Sequence, residues 1–396
     1  MKLLVLSKST IVHTFGGMET HVEALARSAQ EAGHEVIVLT TAHPRGLQEE
    51  VTDGVRREYL ARTLPGVYSG AWWRESAAAV RRLLRDGGGD LLLSFSLAGY
   101  GVARARVPIR HCAFVYGEVL PHLVSAWHDR SGLRRLLEYP RDAVVALYFA
   151  FLERRHWSRL DGIIATYDAL YTKLRRRGYP CFLCYNGIHV ARFAPDEARR
   201  RSARRALGIE PSAPVLLMVG TVNRQKGMWL GAECFLRLLG RYPDAHLLVV
   251  GDGPDLPRLR ARLDAAGASG RARCVGALSP QEVPAVYAAS DVFLYPTLRM
   301  EGLPLAILEA MAAGLPVVAS DRGGISSAVK DEQTGLVVRP GDGKALAAAV
   351  ERLLAEPSFG RSLGEQAREW AWSHADARPL TAHLLAEVTA TDRPAC

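Results

Sequence analysis

The sequence predicts a doubly wound α/β protein made of two tandem domains, each a parallel sheet covered on both faces by helices. In the second half, apolar runs recur at regular intervals: VLLMVG (215–220), HLLVVG (246–251), ARCVGA (272–277), DVFLYP (291–296) and PVVAS (316–320). Helix-like stretches separate them, and short apolar runs alternating with helical patterns mark strands buried on both faces of a parallel sheet. The first half repeats the alternation with KLLVLS, METHVEALARSAQEAG, HEVIVLT, DLLLSFS, RHCAFVY and DGIIAT. A length of 396 residues, 48% of them hydrophobic, supplies two cores and excludes a small disulfide-stapled fold.

Taken in order, the strand KLLVLS leads through a short loop to FGGMETH, where Gly16 and Gly17 precede a helix that Gly33 closes at its C′ position. The join between domains falls near YNGIHVARFAP and the charged, proline-terminated run Asp196 to Pro214. The expected division is an N-terminal Rossmann-like domain over 1–190, a C-terminal one over 191–374, and a terminal helix over 375–396 that crosses back to the first. Ligands of such sheets bind beyond the carboxyl ends of the strands, so the two domains are expected to face each other across a central cleft.

A formal net charge of +9 points to anionic partners: a phosphorylated ligand, an anionic membrane or nucleic acid. Nucleic acid is set aside because the arginines of RRR (175–177) and ARRRSARR (198–205) lack interleaved aromatics and no binding module accompanies them. The six cysteines are scattered, and the single CxxC, Cys181 with Cys184, has no second pair to complete a zinc set. The chain enters its first strand directly, without a signal peptide, so a reducing cytoplasm is expected. No apolar run reaches membrane-spanning length. Residues 132–159 come closest, and they read either as core packing or as a basic amphipathic helix lying on the inner face of an anionic membrane.

Three motifs carry the chemistry. After VLLMVG, the loop TVNRQKG projects Arg224 and Lys226 where helix amides also point, an anion site suited to phosphate. Gly16 and Gly17 offer close backbone approach to a ligand. EGLPLAILEAMAAG places Glu301 in a loop and Glu309 inside a helix that Pro304 opens at N1 and Gly314 ends. Gly302 and Leu303, beside that helix start, offer backbone N–H groups, with Pro304 and Leu305 completing the turn. Carboxylates for hydroxyls and cations for negative charge together describe a sugar nucleotide. VVGDGPDL has Leu256 where a dinucleotide fingerprint needs its third glycine, and neither a Walker loop nor a DxD pair is present.

At these residues the chain resembles the retaining glycosyltransferases of family 4, with the GT-B fold. Glu301 and Glu309 match the family's E-x7-E, GTVNRQKG its G-R-L-x-x-x-K-G loop, and GDGP, YNGI and GGMETH follow in order. The resemblance implies transfer of a hexose-type sugar, with retention, from a nucleotide-diphosphate donor, a UDP-sugar placed ahead of a GDP-sugar. It implies that Glu309 holds the ribose, Glu301 the donor sugar and Lys226 the diphosphate, and that the Gly16/Gly17 loop closes over it. No metal and no cofactor is expected.

Where the family has a diphosphate arginine this chain has Thr221, so Arg224 is taken as the substitute; His189 replaces an acid in NGIH. Where a histidine often follows a strand of the first domain stands Tyr116, with His111 and His122 nearby. The acceptor, a hydroxyl of a glycan, a lipid-linked intermediate or a secondary metabolite, is assigned to Met18, Glu19, His21, Tyr116, Glu118 and His122, within a loop that also carries Trp127, His128 and Asp129. The alternatives are a sugar-nucleotide epimerase or phosphorylase of the same fold and a non-catalytic sugar-nucleotide-binding protein.

Overall fold

A computed structural model describes residues 1–120 and 133–390 of the chain. It divides into two compact units: the first takes in residues up to 120, residues 136–188 and residues 376–390, and the second residues 189–375.

The first unit runs β1 (Lys2–Leu6), α1 (Gly17–Glu31), β2 (Glu35–Thr41), β3 (Glu49–Thr52), β4 (Val55–Leu60), α2 (Gly70–Arg85) and β5 (Leu91–Phe95). It continues through α3 (Tyr100–Arg104), β6 (Arg110–Val115), α4 (Leu133–Trp157), β7 (Gly162–Ala165), α5 (Asp168–Arg176) and β8 (Cys181–Leu183). Its strands form one sheet in the order β3-β4-β2-β1-β5-β6-β7-β8, parallel except for the β3–β4 hairpin. Side chains alternate across β1: Leu3 and Val5 pack with Val22 and Leu25 of α1, whereas Leu4 and Leu6 pack with Trp72 and Val80 of α2. The apolar run Leu3–Leu6 is therefore buried on both faces of the sheet.

The second unit opens with α6 (Glu197–Ala206), then β9 (Val215–Val219), α7 (Met228–Leu238), β10 (His246–Val250), α8 (Leu256–Ala265), β11 (Ala272–Gly276) and α9 (Val283–Ala289). β12 (Val292–Tyr295), α10 (Leu305–Ala312), β13 (Val317–Ser320), β14 (Leu336–Val338), α11 (Gly343–Ala355) and α12 (Pro357–His374) complete it. Its sheet is wholly parallel in the order β11-β10-β9-β12-β13-β14. The chain then re-enters the first unit, where α13 (Ala377–Ala390) packs along α1, with Leu384, Leu385 and Val388 joining the apolar cluster of Leu25.

The basic run after Asp196 is a helix. Arg200 and Arg204 of α6 both bind the Asp291 carboxylate, at 2.6 and 2.7 Å, and the Val215 N–H donates to the same group at 2.8 Å. These arginines staple α6 to the starts of β9 and β12, so part of the positive charge is structural. Pro304 differs from expectation by one position: its ψ of 130° puts it at the N-cap, and Leu305 is the first helical residue. Gly314, with φ of +74°, follows the C-cap as expected. Burial pushes the Cys181 and Cys184 thiols up, to about 11 and about 12, so both stay protonated.

Glu153 faces inward from α4. Burial raises its carboxyl from 4.5 to about 7, partly opposed by the Val119 N–H, which donates to it at 3.3 Å. In the unfolded chain the same group ionises near its ordinary value. Between these two pKa values the unfolded state therefore gives up its proton first, and stability falls as pH rises through the window. Glu153→Gln removes this penalty. The variant is expected to melt above the wild type at about pH 8 and to match it at about pH 4; equal melting temperatures at both would contradict the assignment.

Candidate functional site

In the second sheet the strand order reverses between β9 and β12, the crevice where open α/β sheets take their ligands. The loops leaving those two strands carry Lys226 and Glu301. Lys226 Nζ donates to Glu301 Oε1 at 2.8 Å and to the Tyr295 hydroxyl, at the end of β12, at 2.7 Å. The Thr297 hydroxyl donates to the same Oε1 at 3.2 Å, and Arg299 Nε lies 3.5 Å from it. Lys226 and Thr297 are bonded to Oε1 and not to Oε2, and the Tyr295 hydroxyl also interacts with the carboxylate. The Lys226 and Glu301 side chains are only 16% and 9% exposed. Burial lowers the Lys226 pKa, and the Glu301 carboxylate opposes the shift.

Close approach of the loops sets this geometry. Gly227, at the N-cap of α7, has φ of +70°, and a Cβ there would lie 1.8 Å from the Pro296 carbonyl oxygen. Gly323, in the loop after β13, has φ of +62°, and a Cβ there would lie 2.0 Å from the Glu301 carbonyl oxygen, which accepts the Gly324 N–H at 3.0 Å. Only glycine meets both demands at either position. The loop before Gly227 is tied down as well: Asn223 Oδ1 accepts the Lys226 N–H at 2.8 Å, and the Gln225 carbonyl accepts the Leu298 N–H at 2.7 Å and lies 3.1 Å from the Thr297 hydroxyl, whose single proton it shares with Glu301. The GDG run after β10 joins the same array: the Asp252 carbonyl accepts the Val222 N–H at 2.9 Å.

The remaining sites predicted in this unit lie around that pair. Gly302 and Leu303 fill the turn between Glu301 and the N-cap Pro304, and Leu305 opens α10. Glu309, in the second turn, is partly exposed; the Tyr287 hydroxyl donates to its Oε2 at 2.8 Å, and Oε1 has no protein partner among the described residues. Burial raises the Glu309 carboxyl against the opposing pull of Tyr287. Arg224 is exposed, and its side chain makes no ion pair among the described residues. Tyr295, Thr297, Arg299 and Tyr287 were not singled out from the sequence. Their signal was positional: DVFLYPTLRME runs from the end of the switch-point strand straight into Glu301.

In the first unit, the helix after the Gly16–Gly17 pair brings a second set together. Gly16 is the N-cap of α1 in extended backbone, and the Ser9 hydroxyl donates to buried Glu19 in the first turn. His21 Nδ1 and the Tyr116 hydroxyl are 2.8 Å apart, and the His21 ring stands edge-on to Phe114 and Phe95. Burial lowers the His21 pKa to about 3, so the imidazole is neutral. Met18 packs against the α1 core cluster. The histidine beside Tyr116 thus comes from α1. His111 sits near the other end of β6, about 15 Å along the strand, with Nε2 2.8 Å from the Ser94 hydroxyl. It is placed for packing rather than for a role beside Tyr116. Glu118 is bound by Lys173 and Arg177. Burial alone would raise its carboxyl, and these two bonds bring it below its ordinary value. His122, Trp127, His128 and Asp129 lie outside the described residues.

A switch point that holds a lysine, an arginine and a carboxylate has the chemistry to take an anionic, hydroxylated ligand. Residues 199–370 match the family described as Glycosyl transferases group 1, and residues 16–181 match the Glycosyl transferase 4-like domain. The chain belongs to the group 1 glycosyltransferases, with the GT-B fold. It is 34% identical over 255 residues to the GDP-mannose-dependent alpha-(1-6)-phosphatidylinositol monomannoside mannosyltransferase of Mycolicibacterium smegmatis, a match covering 61% of this chain and 66% of that protein. It is 33% identical over 185 residues to the alpha-D-kanosaminyltransferase of Streptomyces kanamyceticus, covering 47% of each. Each match spans less than two thirds of the relative's own length. In fold it is similar to sucrose-phosphate synthase from Thermosynechococcus elongatus, with a TM-score of 0.81 at 22% identity over 99% of this chain and 100% of that one.

Gly323→Ala tests the loop packing that places Glu301. The αL backbone and the collision with the Glu301 carbonyl are expected to cost about 2 kcal/mol or more, read as a lower midpoint of thermal unfolding. A variant that melts with the wild type would contradict this packing.

Proposed function

We propose that the protein transfers a hexose-type sugar from a nucleoside-diphosphate donor to a hydroxyl of its acceptor, with the anomeric configuration retained as the family resemblance implies. The observation that supports it most is the division of labour at Glu301: Oε1 is held by Lys226, Thr297 and Arg299, and Oε2, to which neither Lys226 nor Thr297 is bonded, is the oxygen for a sugar hydroxyl. Two cations against one carboxylate leave a surplus of positive charge, which a diphosphate would neutralise. Glu309 offers Oε1 to the ribose in the same way, with Tyr287 steadying Oε2.

Breaking the anomeric bond builds negative charge on the leaving diphosphate and oxocarbenium character on the sugar. Cations fixed before the reaction stabilise that charge without reorganising. Lys226, pinned by Tyr295 and Glu301, supplies one; Arg299 supplies a second from the β12 side, and Arg224 a third from the exposed edge of the loop. The departing phosphate takes the acceptor's proton as the acceptor oxygen attacks the same face of the sugar. No divalent metal enters this scheme. The GDP-mannose dependence of the Mycolicibacterium smegmatis relative makes GDP-mannose the first donor to try, beside the UDP-sugars.

On the acceptor side, Tyr116, His21, Glu19 and Met18 stand together at the start of α1 and the end of β6. Neutral His21 bonded to Tyr116 is suited to fixing a hydroxyl rather than a charged group. Glu118, engaged by two cations, acts by holding the segment after β6 to α5.

The test is mass spectrometry of products from a panel of GDP- and UDP-sugars with glycan, lipid-linked and small-molecule acceptors, run with and without a chelator. One donor is expected to yield an acceptor product at the same rate in both conditions. Consumption of the donor without acceptor, or loss of transfer on chelation, would contradict the reading. Arg299→Ala is expected to weaken donor binding by tenfold or more, because a charge-assisted bond to phosphate contributes about 1.5–3 kcal/mol. Arg224→Ala should weaken it by less, since the side chain is exposed. Unchanged donor affinity in Arg299→Ala would remove Arg299 from the site.

A further inference from the structure

The helix α4 turns an apolar face to solvent. From residue 142 onward its buried side is formed by Ala146, Ala150, Glu153 and Trp157, the last packed against Val115 and Ile163. The opposite side exposes Val144 (67%), Leu147 (59%), Tyr148 (53%) and Phe151 (54%). Val144, Tyr148, Phe151 and Arg155 follow one another at intervals of four, three and four residues, a single line along the helix, with Leu147 and Arg154 beside it. Scattered exposed apolar residues are ordinary, but a continuous stripe of large ones marks an interaction surface.

Charge indicates what covers the stripe. It continues directly into Arg155, whose guanidinium lies 5.5 Å from the Phe151 ring centre, and Arg154 is exposed next to it. The acids of this stretch are elsewhere: Glu153 is on the buried side and Asp142 is half-buried. An apolar stripe with cations at its end and no exposed acid among the described side chains of the helix matches a surface that is apolar below and anionic above. The net charge of +9 works against pairing with a second copy of the same chain. No helix among the described residues is long and apolar enough to cross a membrane, so contact would be made in the plane of the surface.

We propose that this face of α4 docks on an anionic lipid bilayer, with Val144, Leu147, Tyr148 and Phe151 entering the headgroup–acyl boundary and Arg154 and Arg155 meeting lipid phosphates. Such docking would hold the enzyme at a two-dimensional surface where lipid-borne acceptors are concentrated. It stands independently of which sugar is transferred.

The test is sedimentation of the full chain with vesicles of equimolar phosphatidylcholine and phosphatidylglycerol, against vesicles of phosphatidylcholine alone. The wild type is expected to sediment with the anionic vesicles and not with the neutral ones. The triple variant Val144→Ser, Tyr148→Ser, Phe151→Ser should lose more than about tenfold in binding while keeping its melting temperature, because the three side chains are exposed. Arg154→Gln with Arg155→Gln should lose about fivefold for each arginine removed. A wild type that stays in the supernatant, or a triple variant that binds equally well, would overturn the proposal. So would light scattering that shows a wild-type dimer and a monomeric triple variant with vesicle binding unchanged, which would assign the face to a second copy.

Discussion

One carboxylate oxygen organises the carboxyl edge of the second sheet. Glu301 Oε1 is the common acceptor of Lys226 and Thr297 and the near neighbour of Arg299, and a buried ion pair of this kind offsets its desolvation only with good geometry and further hydrogen bonds around it. Tyr295 and Asn223 satisfy the lysine segment, while Gly227 and Gly323 let three loops stack closely enough for the pair to form. In the proposed function, the surplus of cation over carboxylate is what lets a structural ion pair serve as an anion site. A buried lysine held by a single carboxylate would be neutral overall and would have little to offer a diphosphate.

The fold was legible because its strands are buried on both faces. Runs such as LLVL and HLLVV have no polar alternation, and only a covered parallel sheet accepts them. What escaped notice lies at the sheet edges. EEVT of β3 is a polar edge strand, paired on one side only with β4, and LVV of β14 is too short to stand out from its surroundings. The charged run after Asp196 resembled open linker because the partner that makes it a packed helix, Asp291, lies some ninety positions away in sequence.

At the site, residue types and spacing singled out Lys226, Glu301 and Glu309, but not their partners. Tyr295 belongs to an apolar strand and its hydroxyl reads as ordinary amphipathic bulk; Arg299 is one arginine among many in a basic chain. Both acquire meaning only from the adjacency of β9 and β12, which brings residues 75 positions apart within hydrogen-bond reach. The same limit applied to Tyr116: histidines close in sequence suggested a partner, while the one that meets it, His21, comes from 95 positions upstream. The reading of residues 132–159 left core packing and a surface-lying helix open, and α4 has both a packed side, at Ala146, Ala150 and Trp157, and an exposed apolar stripe.

The central claim is that Lys226 acts on the diphosphate and Glu301 on the sugar, although the two are bonded to each other. It is tested most directly by titration calorimetry of Lys226→Met and Glu301→Gln with the nucleoside diphosphate alone and with the matching nucleotide sugar. Lys226→Met should weaken both ligands, whereas Glu301→Gln should weaken the nucleotide sugar and spare the nucleoside diphosphate. If Glu301→Gln weakened both ligands equally, Glu301 would be a prop for Lys226 and not a contact for the sugar, and the account would be contradicted.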